Sequence, residues 1–222
     1  MRKVVVLSWS GGKDSALALD ALSRDPAVEV VGLLTSVTSG YDRISVHGVR
    51  RSMLEAQVER LNLPLFEITL GPNSTNDAYE SAFLASLHRI RAEMPEVSHI
   101  AFGDLFLEDV RAYRERLLTG TGFAPLFPIW GEDTTSVARR FIADGFSARL
   151  VCVDTTQLDG DFAGREFDEK LLVDLPPSVD PCGERGEFHT FVSGGPPFSA
   201  AIPYVVGEKV LRDDRFMFCD IQ

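Results

Sequence analysis

At 222 residues, 45% apolar and 25% charged, the chain has the material for one large folded unit with a small appendage. A net charge of −11, from 33 acidic against 22 basic residues, argues against a nucleic-acid binder, which needs a basic excess or stripe to neutralise phosphates. No apolar run approaches the roughly 20 residues of a membrane span, the start shows no cleavable signal pattern, and Cys152, Cys182 and Cys219 form no C-x-x-C pair, so the expectation is a reducing cytoplasm without structural zinc or an iron–sulfur cluster.

In chain order, Val4-Val5-Val6-Leu7 reads as a buried strand and Ala16-Leu17-Ala18-Leu19 as the helix after it. Between them stand Ser10, Gly11, Gly12, Lys13, Asp14 and Ser15. Paired glycines let the backbone approach a ligand closely, and the free N–H groups of a helix start point at it. Two hydroxyls and an ammonium in the same small volume make the stretch a phosphate cradle. Neither the G-x-x-x-x-G-K-[ST] nor the G-x-G-x-x-G spacing is present.

A second strand is expected from Val28 to Thr35, then a long Ser/Thr/Gly-rich loop from Ser36 to Gly48, a length that favours function over mere connection. The next helix, about Val49 to Leu61, has His47, Arg50 and Arg51 at its N-terminus, where the macrodipole disfavours positive charge. Either a polyanion compensates, with Arg50 or His47 on its phosphates, or the arginines are solvated. A strand at Leu65–Leu70, a helix capped by Asp77 with Glu80 and ending near Glu93, and a strand at Ile100–Phe102 follow. The last of these ends in Gly103-Asp104, and Asp104 and Asp14 are the carboxylates expected to hold magnesium. A charged helix at Glu108–Leu118 reads mainly as a solvated face, and a helix from Thr134 to Asp144 closes at Gly145. Ala148–Val153 is expected to be the last strand of the main sheet.

The strands read as continuous apolar runs alternating with helices. The fold class is therefore α/β, an open, mostly parallel twisted sheet with helices on both faces, over residues 1–153. Ligands of such sheets bind outside the carboxyl ends of the strands, where the cradle, the 36–48 loop and Gly103-Asp104 all emerge. Residues 154–222, with a short helix at Glu166–Leu172 and alternating antiparallel strands from Glu184 onward, form a small α+β substrate subdomain. In the stretch from Asp180 to Phe191, the period of two puts Glu187 and His189 on one face with Glu184 in the turn beside it. Carboxylates beside an imidazole suit holding ammonium or an amine and removing its proton, though a hydrogen-bonded turn explains the same residues. Cys182 reads as a packed thiol.

The stretch SGGKDS resembles the PP-loop of the ATP pyrophosphatase superfamily. With His47-Gly48-Val49-Arg50, Gly103-Asp104 and the C-terminal run CGERGEFHTF, nearly the whole chain resembles the diphthine–ammonia ligase family, closest to its bacterial members. The resemblance implies a Rossmann-like PP-loop domain and an enzyme using ATP and Mg2+. A substrate carboxylate is adenylated with release of pyrophosphate, and ammonia displaces AMP to give an amide. It implies ATP contacts from Ser10, Gly11, Gly12, Lys13, Asp14, Ser15, Thr35, His47, Arg50 and Gly103, and catalytic roles for Lys13, Glu184, Glu187 and His189. The partners implied are ammonia and a carboxylate on a small molecule or a modified protein side chain, with room for a homodimer and none for a membrane. Where eukaryotic and archaeal members carry a Ser-x-Tyr-Gln-type segment, this chain reads Leu105-Phe106-Leu107-Glu108-Asp109, which leaves the acceptor open. The alternatives are a PP-loop enzyme modifying RNA, disfavoured by the acidity, and a non-catalytic ATP-binding sensor, disfavoured by the intact Lys13, Asp14, Asp104 and Glu187.

Overall fold

A computed structural model of the chain describes residues 2–40, 43, 44 and 48–222. The first unit is as expected: strand β1 (Lys3–Ser8), a glycine turn, and helix α1 (Lys13–Arg24). Strands β2 (Val28–Thr38) and β3 (Arg43–Ile44) follow, then α2 (Arg51–Leu61), β4 (Leu65–Leu70) and α3 (Asn76–Glu93). The chain continues with β5 (His99–Ala101), α4 (Glu108–Leu118), β6 (Ala124–Leu126) and α5 (Thr134–Ala143). These strands form one sheet in the order β3-β2-β1-β5-β6, with β4 also on β2. Its β1–β2, β1–β5, β2–β4 and β5–β6 pairs are parallel, and only short β3 is antiparallel.

The period of two sorts β1 between two cores. Val5 and Leu7 join Leu17, Leu54 and Phe141 on one side. Val6 joins Phe83, Leu87 and Ile100 on the other. Since α1, α2 and α5 supply the first set and α3 the second, helices cover both faces, and all three β1 residues are fully buried.

The second sheet corrects one expectation. Strand β7 (Ser147–Asp154), which contains Ala148–Val153, does not extend the parallel sheet. It pairs antiparallel with β8 (Phe188–Gly194) and β10 (Phe216–Ile221), and β9 (Val206–Arg212) closes the order β8-β7-β10-β9. A largely apolar strand buried on both faces reads the same in either sheet, and the antiparallel partners lie 35 or more positions downstream in the β8 register. Helix α6 (Glu169–Asp174) starts later than Glu166, because the Asp168 carboxylate caps it by accepting the Leu171 N–H at 2.7 Å. Likewise Thr75, not Asp77, caps α3, and Asp77 sits within the first turn. Among the described residues, no helix is long and apolar enough to cross a membrane.

Candidate active site

The cradle is built where β1 ends. Gly11 has φ +78°, a conformation that favours glycine, and a Cβ there would stand 2.7 Å from Gln57 Oε1. Gly12 is the N-cap of α1 and has no side chain of its own to cap the helix. The Ser10 hydroxyl donates to Ser15 Oγ at 3.3 Å and accepts the Gly12 N–H at 3.3 Å, while the Ser15 hydroxyl donates to the Gly12 carbonyl at 2.8 Å. Gly103, just past β5, lies against the first turn of α1. A Cβ there would come within 2.9 Å of the Asp14 carbonyl group, so only glycine lets the two segments touch. That contact brings Asp104 to the cradle.

Lys13 is buried, with its ammonium 2.8 and 2.9 Å from the two Asp14 carboxylate oxygens and 5.7 Å from the centre of the Phe188 ring. Burial alone would lower its pKa, but Asp14, with Cys182 and Glu184 behind it, reverses this and holds it above the ordinary lysine value. Burial pushes up the carboxyls of Asp14 and Asp104, with Lys13 and Arg114 respectively pulling them back. Asp104 Oδ2 is buried without a hydrogen-bond partner, and its nearest cation, Arg114 Nε, stands 3.7 Å away, itself unbonded. Glu184 is pushed up to about 7, first by burial and then by the Asp14 and Asp104 charges, against the Leu105 N–H that it accepts at 2.8 Å. Among the described residues, no group of three or more His, Cys, Asp or Glu side chains is arranged to hold a metal on its own.

The facing wall is the turn before β8. Gly183 has φ +65°, and a Cβ there would meet the Phe188 carbonyl oxygen at 2.7 Å. Beneath the turn, Asp180 accepts the Cys182 N–H at 2.8 Å and the Thr134 hydroxyl at 2.8 Å. Strand β8 then docks on the cradle: Thr190 Oγ1 accepts the Lys13 N–H at 3.0 Å, and the Val192 N–H donates to the Gly11 carbonyl at 2.9 Å. The cleft left between the two halves has a volume of about 130 Å³. Ser10, Lys13, Asp14, Glu184, His189 and Thr190 supply its polar lining.

The structure thus brings Ser10, Gly11, Gly12, Lys13, Asp14, Ser15, Gly103, Asp104, Glu184 and His189 to one place, and it moves others elsewhere. Glu187 does not share a face with His189. It is 1% exposed, and its two carboxylate oxygens accept the Asp180 and Arg185 N–H groups at 2.9 Å each, so it ties the turn together from below. Thr35 is buried with its hydroxyl donating to the Trp9 carbonyl at 2.7 Å, fixing the strand end that precedes the cradle. Arg50 does not line the cleft; its guanidinium binds Asp220 of β10, with Nη2 at 2.5 Å from Oδ2, and Arg43 joins the same carboxylate at 3.0 Å. The compensation expected from a polyanion at the N-terminus of α2 therefore comes from a side chain of the second sheet. His47 lies outside the described residues. Cys182 is buried, its thiol pushed up to about 12 by burial, consistent with packing. Two contributors were not assigned a role from the sequence: Thr190, which lies within the CGERGEFHTF run, and Gln57 from the middle of α2, which gave no signal.

Comparison with known proteins adds to this geometry. Residues 1–125 match the model described as the diphthamide synthase N-terminal domain, and residues 133–222 match the one described as the diphthamide synthase C-terminal domain. A human protein named diphthine–ammonia ligase is 27% identical over 227 residues, covering 91% of this chain and 83% of its own length. A zebrafish (Danio rerio) protein of the same name is 24% identical, covering 92% and 88%. A third, from Schizosaccharomyces pombe, is 25% identical over 87% of this chain, which spans only 34% of that longer protein.

Proposed function

The chain belongs to the diphthamide synthase family, and on that premise we propose that the Ser10–Ser15 cradle binds the phosphates of ATP while the Gly183–His189 wall receives the acceptor. It is an ATP-dependent ligase that forms an amide with ammonia. The reaction runs in two steps. An acceptor carboxylate oxygen attacks the α-phosphorus of ATP, the bond from that phosphorus to the bridging oxygen breaks, and pyrophosphate leaves. Ammonia then attacks the acyl carbon, AMP departs with the carboxylate oxygen, and the new nitrogen sheds a proton. Nucleotide chemistry falls to the parallel sheet with its helices, and acceptor binding to the antiparallel sheet that begins with β7 at Ser147.

The observation that carries this reading is Glu184, a carboxylate set at about 7 in the same small cleft as Lys13. A base poised near neutral pH takes a proton from ammonium, or from the nitrogen after attack, without being permanently protonated. The Leu105 N–H holds one of its oxygens at 2.8 Å, and the residue lines the cleft. Lys13 carries the positive charge that stabilises negative charge growing on the phosphates, and the positive end of the α1 dipole adds to it. His189, which lines the same cleft from β8, is assigned to the acceptor.

Magnesium on ATP takes one or two carboxylates besides phosphate oxygens and water. Asp104, with an oxygen buried and unbonded, and Asp14 beside it fit that demand, and a bound ion would neutralise phosphate charge there. Three buried free cysteines accord with a reducing cytoplasm. The test is incubation with ATP, magnesium, ammonium and a panel of carboxylic acceptors. AMP and pyrophosphate in equal amounts, with a product in which NH2 replaces the OH of the acid, are expected; AMP formation unaffected by ammonium would refute the amide step.

A further inference from the structure

Gln57 sits in the middle of α2 and is completely buried. A buried amide has to satisfy both of its ends, and this one does so across three segments. Its Oε1 accepts the Trp9 indole N–H at 3.0 Å. Its Nε2 donates to the Gly11 carbonyl at 2.9 Å and to the Val192 carbonyl at 2.7 Å. An indole nitrogen only donates and a carbonyl only accepts, so this network admits one orientation of the amide. The Gly11 carbonyl has a second donor, the Val192 N–H at 2.9 Å.

In a trans peptide the carbonyl and the following N–H point in opposite directions. Holding the Gly11 carbonyl between Gln57 and Val192 therefore turns the Gly12 N–H the other way, to Ser10 Oγ on the wall of the cleft. Gly11 needs such holding. At φ +78° a glycine has little intrinsic resistance to turning over, and the turned peptide would aim a carbonyl oxygen at an anion. The fit is mutual, since any Cβ on Gly11 would collide with Gln57 Oε1.

We propose that Gln57 is a positioning residue for the ATP site, locking the Gly11–Gly12 peptide with its N–H toward bound phosphate. The inference rests on the phosphate reading of the cradle. The lock draws one donor from α2 and one from β8, so the cradle is set only when the second sheet is docked on it.

The test is the KM for ATP and the inhibition constant of inorganic pyrophosphate, measured with melting temperatures on the full chain and two variants. In Gln57→Leu both constants rise together by about tenfold or more, with kcat changing much less, because phosphate donors are misaligned while the acceptor wall stays intact. Trp9→Phe removes only the indole donor that fixes the amide, and it moves the same two constants in the same direction by a smaller factor. A merely structural role would lower the melting temperature without shifting the two constants in step. Should Gln57→Leu fold and keep the wild-type constants, the lock is wrong. Should it not fold, unchanged constants in Trp9→Phe overturn the lock instead. A wild-type chain that neither consumes ATP nor responds to pyrophosphate would overturn the phosphate reading itself, and the lock with it.

Discussion

Among the described residues, two clefts between the parallel sheet and the antiparallel one treat Asp220 on one side and Asp14 and Glu184 on the other in opposite ways. The larger, of about 620 Å³, lies between the β2–β3 end and the β9–β10 hairpin, and its Asp220 is held down at about 2, chiefly by hydrogen bonds from Arg50. The smaller, of about 130 Å³, holds Asp14 and Glu184 with Asp104 close by, all three pushed up by burial. An acid pulled down has its charge satisfied by the fold itself. Acids pushed up together, beside a buried lysine, are a cost to the fold that a reaction explains. Size marks the wrong cleft here, and the direction of the shifts marks the right one.

The most severe way to break this contrast is to remove Lys13. Lys13→Met is expected to lower kcat/KM for ATP by about 10²–10³, read as AMP formation, while the chain stays folded. A loss of less than tenfold would mean that the small cleft is not where phosphate charge is stabilised.

Glu184 sharpens the contrast through pH. Its pKa is raised to about 7, so the wild-type rate should climb as pH rises through that value and the carboxylate forms. Glu184→Gln should lose about 10²-fold or more in kcat together with that rising limb. A variant that keeps the limb would assign it to another group.

The larger cleft should respond in stability alone. Asp220 has a lowered pKa, so its contribution is present above the unfolded value near 3.8 and is lost as pH falls toward about 2. Asp220→Asn is expected to lower the melting temperature by a few degrees at pH 7, with the gap to wild type closing as the solution is acidified and turnover kept within a few-fold. A pH-independent gap would show that packing, not charge, is what the carboxylate supplies.

The smallest effect is expected at Cys182. With its thiol buried and pushed up to about 12, iodoacetamide at neutral pH should leave native turnover unchanged and label it only after unfolding. Rapid inactivation would put a reactive thiol in the cleft.

What the sequence revealed and what it hid divide along the same physical line. Ser10 to Ser15 are a local structure, strand, turn and helix start within a dozen residues, and they are legible because Gly11 and Gly12 have few other uses between two apolar runs. Residues 148–153 carry no such information, since burial on both faces looks alike in a parallel and an antiparallel sheet. Glu187 and His189 differ by two positions, but the period of two holds only inside a strand, and β8 begins at Phe188. Arg50 announced a missing negative charge correctly, yet nothing local could say that Asp220, 170 positions away, would supply it. Gln57 was invisible for the same reason, because its partners, Trp9 and Gly11 after β1 and Val192 of β8, are brought to it only by the folding of distant segments.

The central claim is that the small cleft splits ATP between its α and β phosphates to build an amide, and the most direct measurement follows label from ATP. With ATP labelled in its γ-phosphate, magnesium, ammonium and a competent acceptor, the label should leave as pyrophosphate, matched one for one by AMP and by amide. Label released as inorganic phosphate alongside ADP would contradict the account.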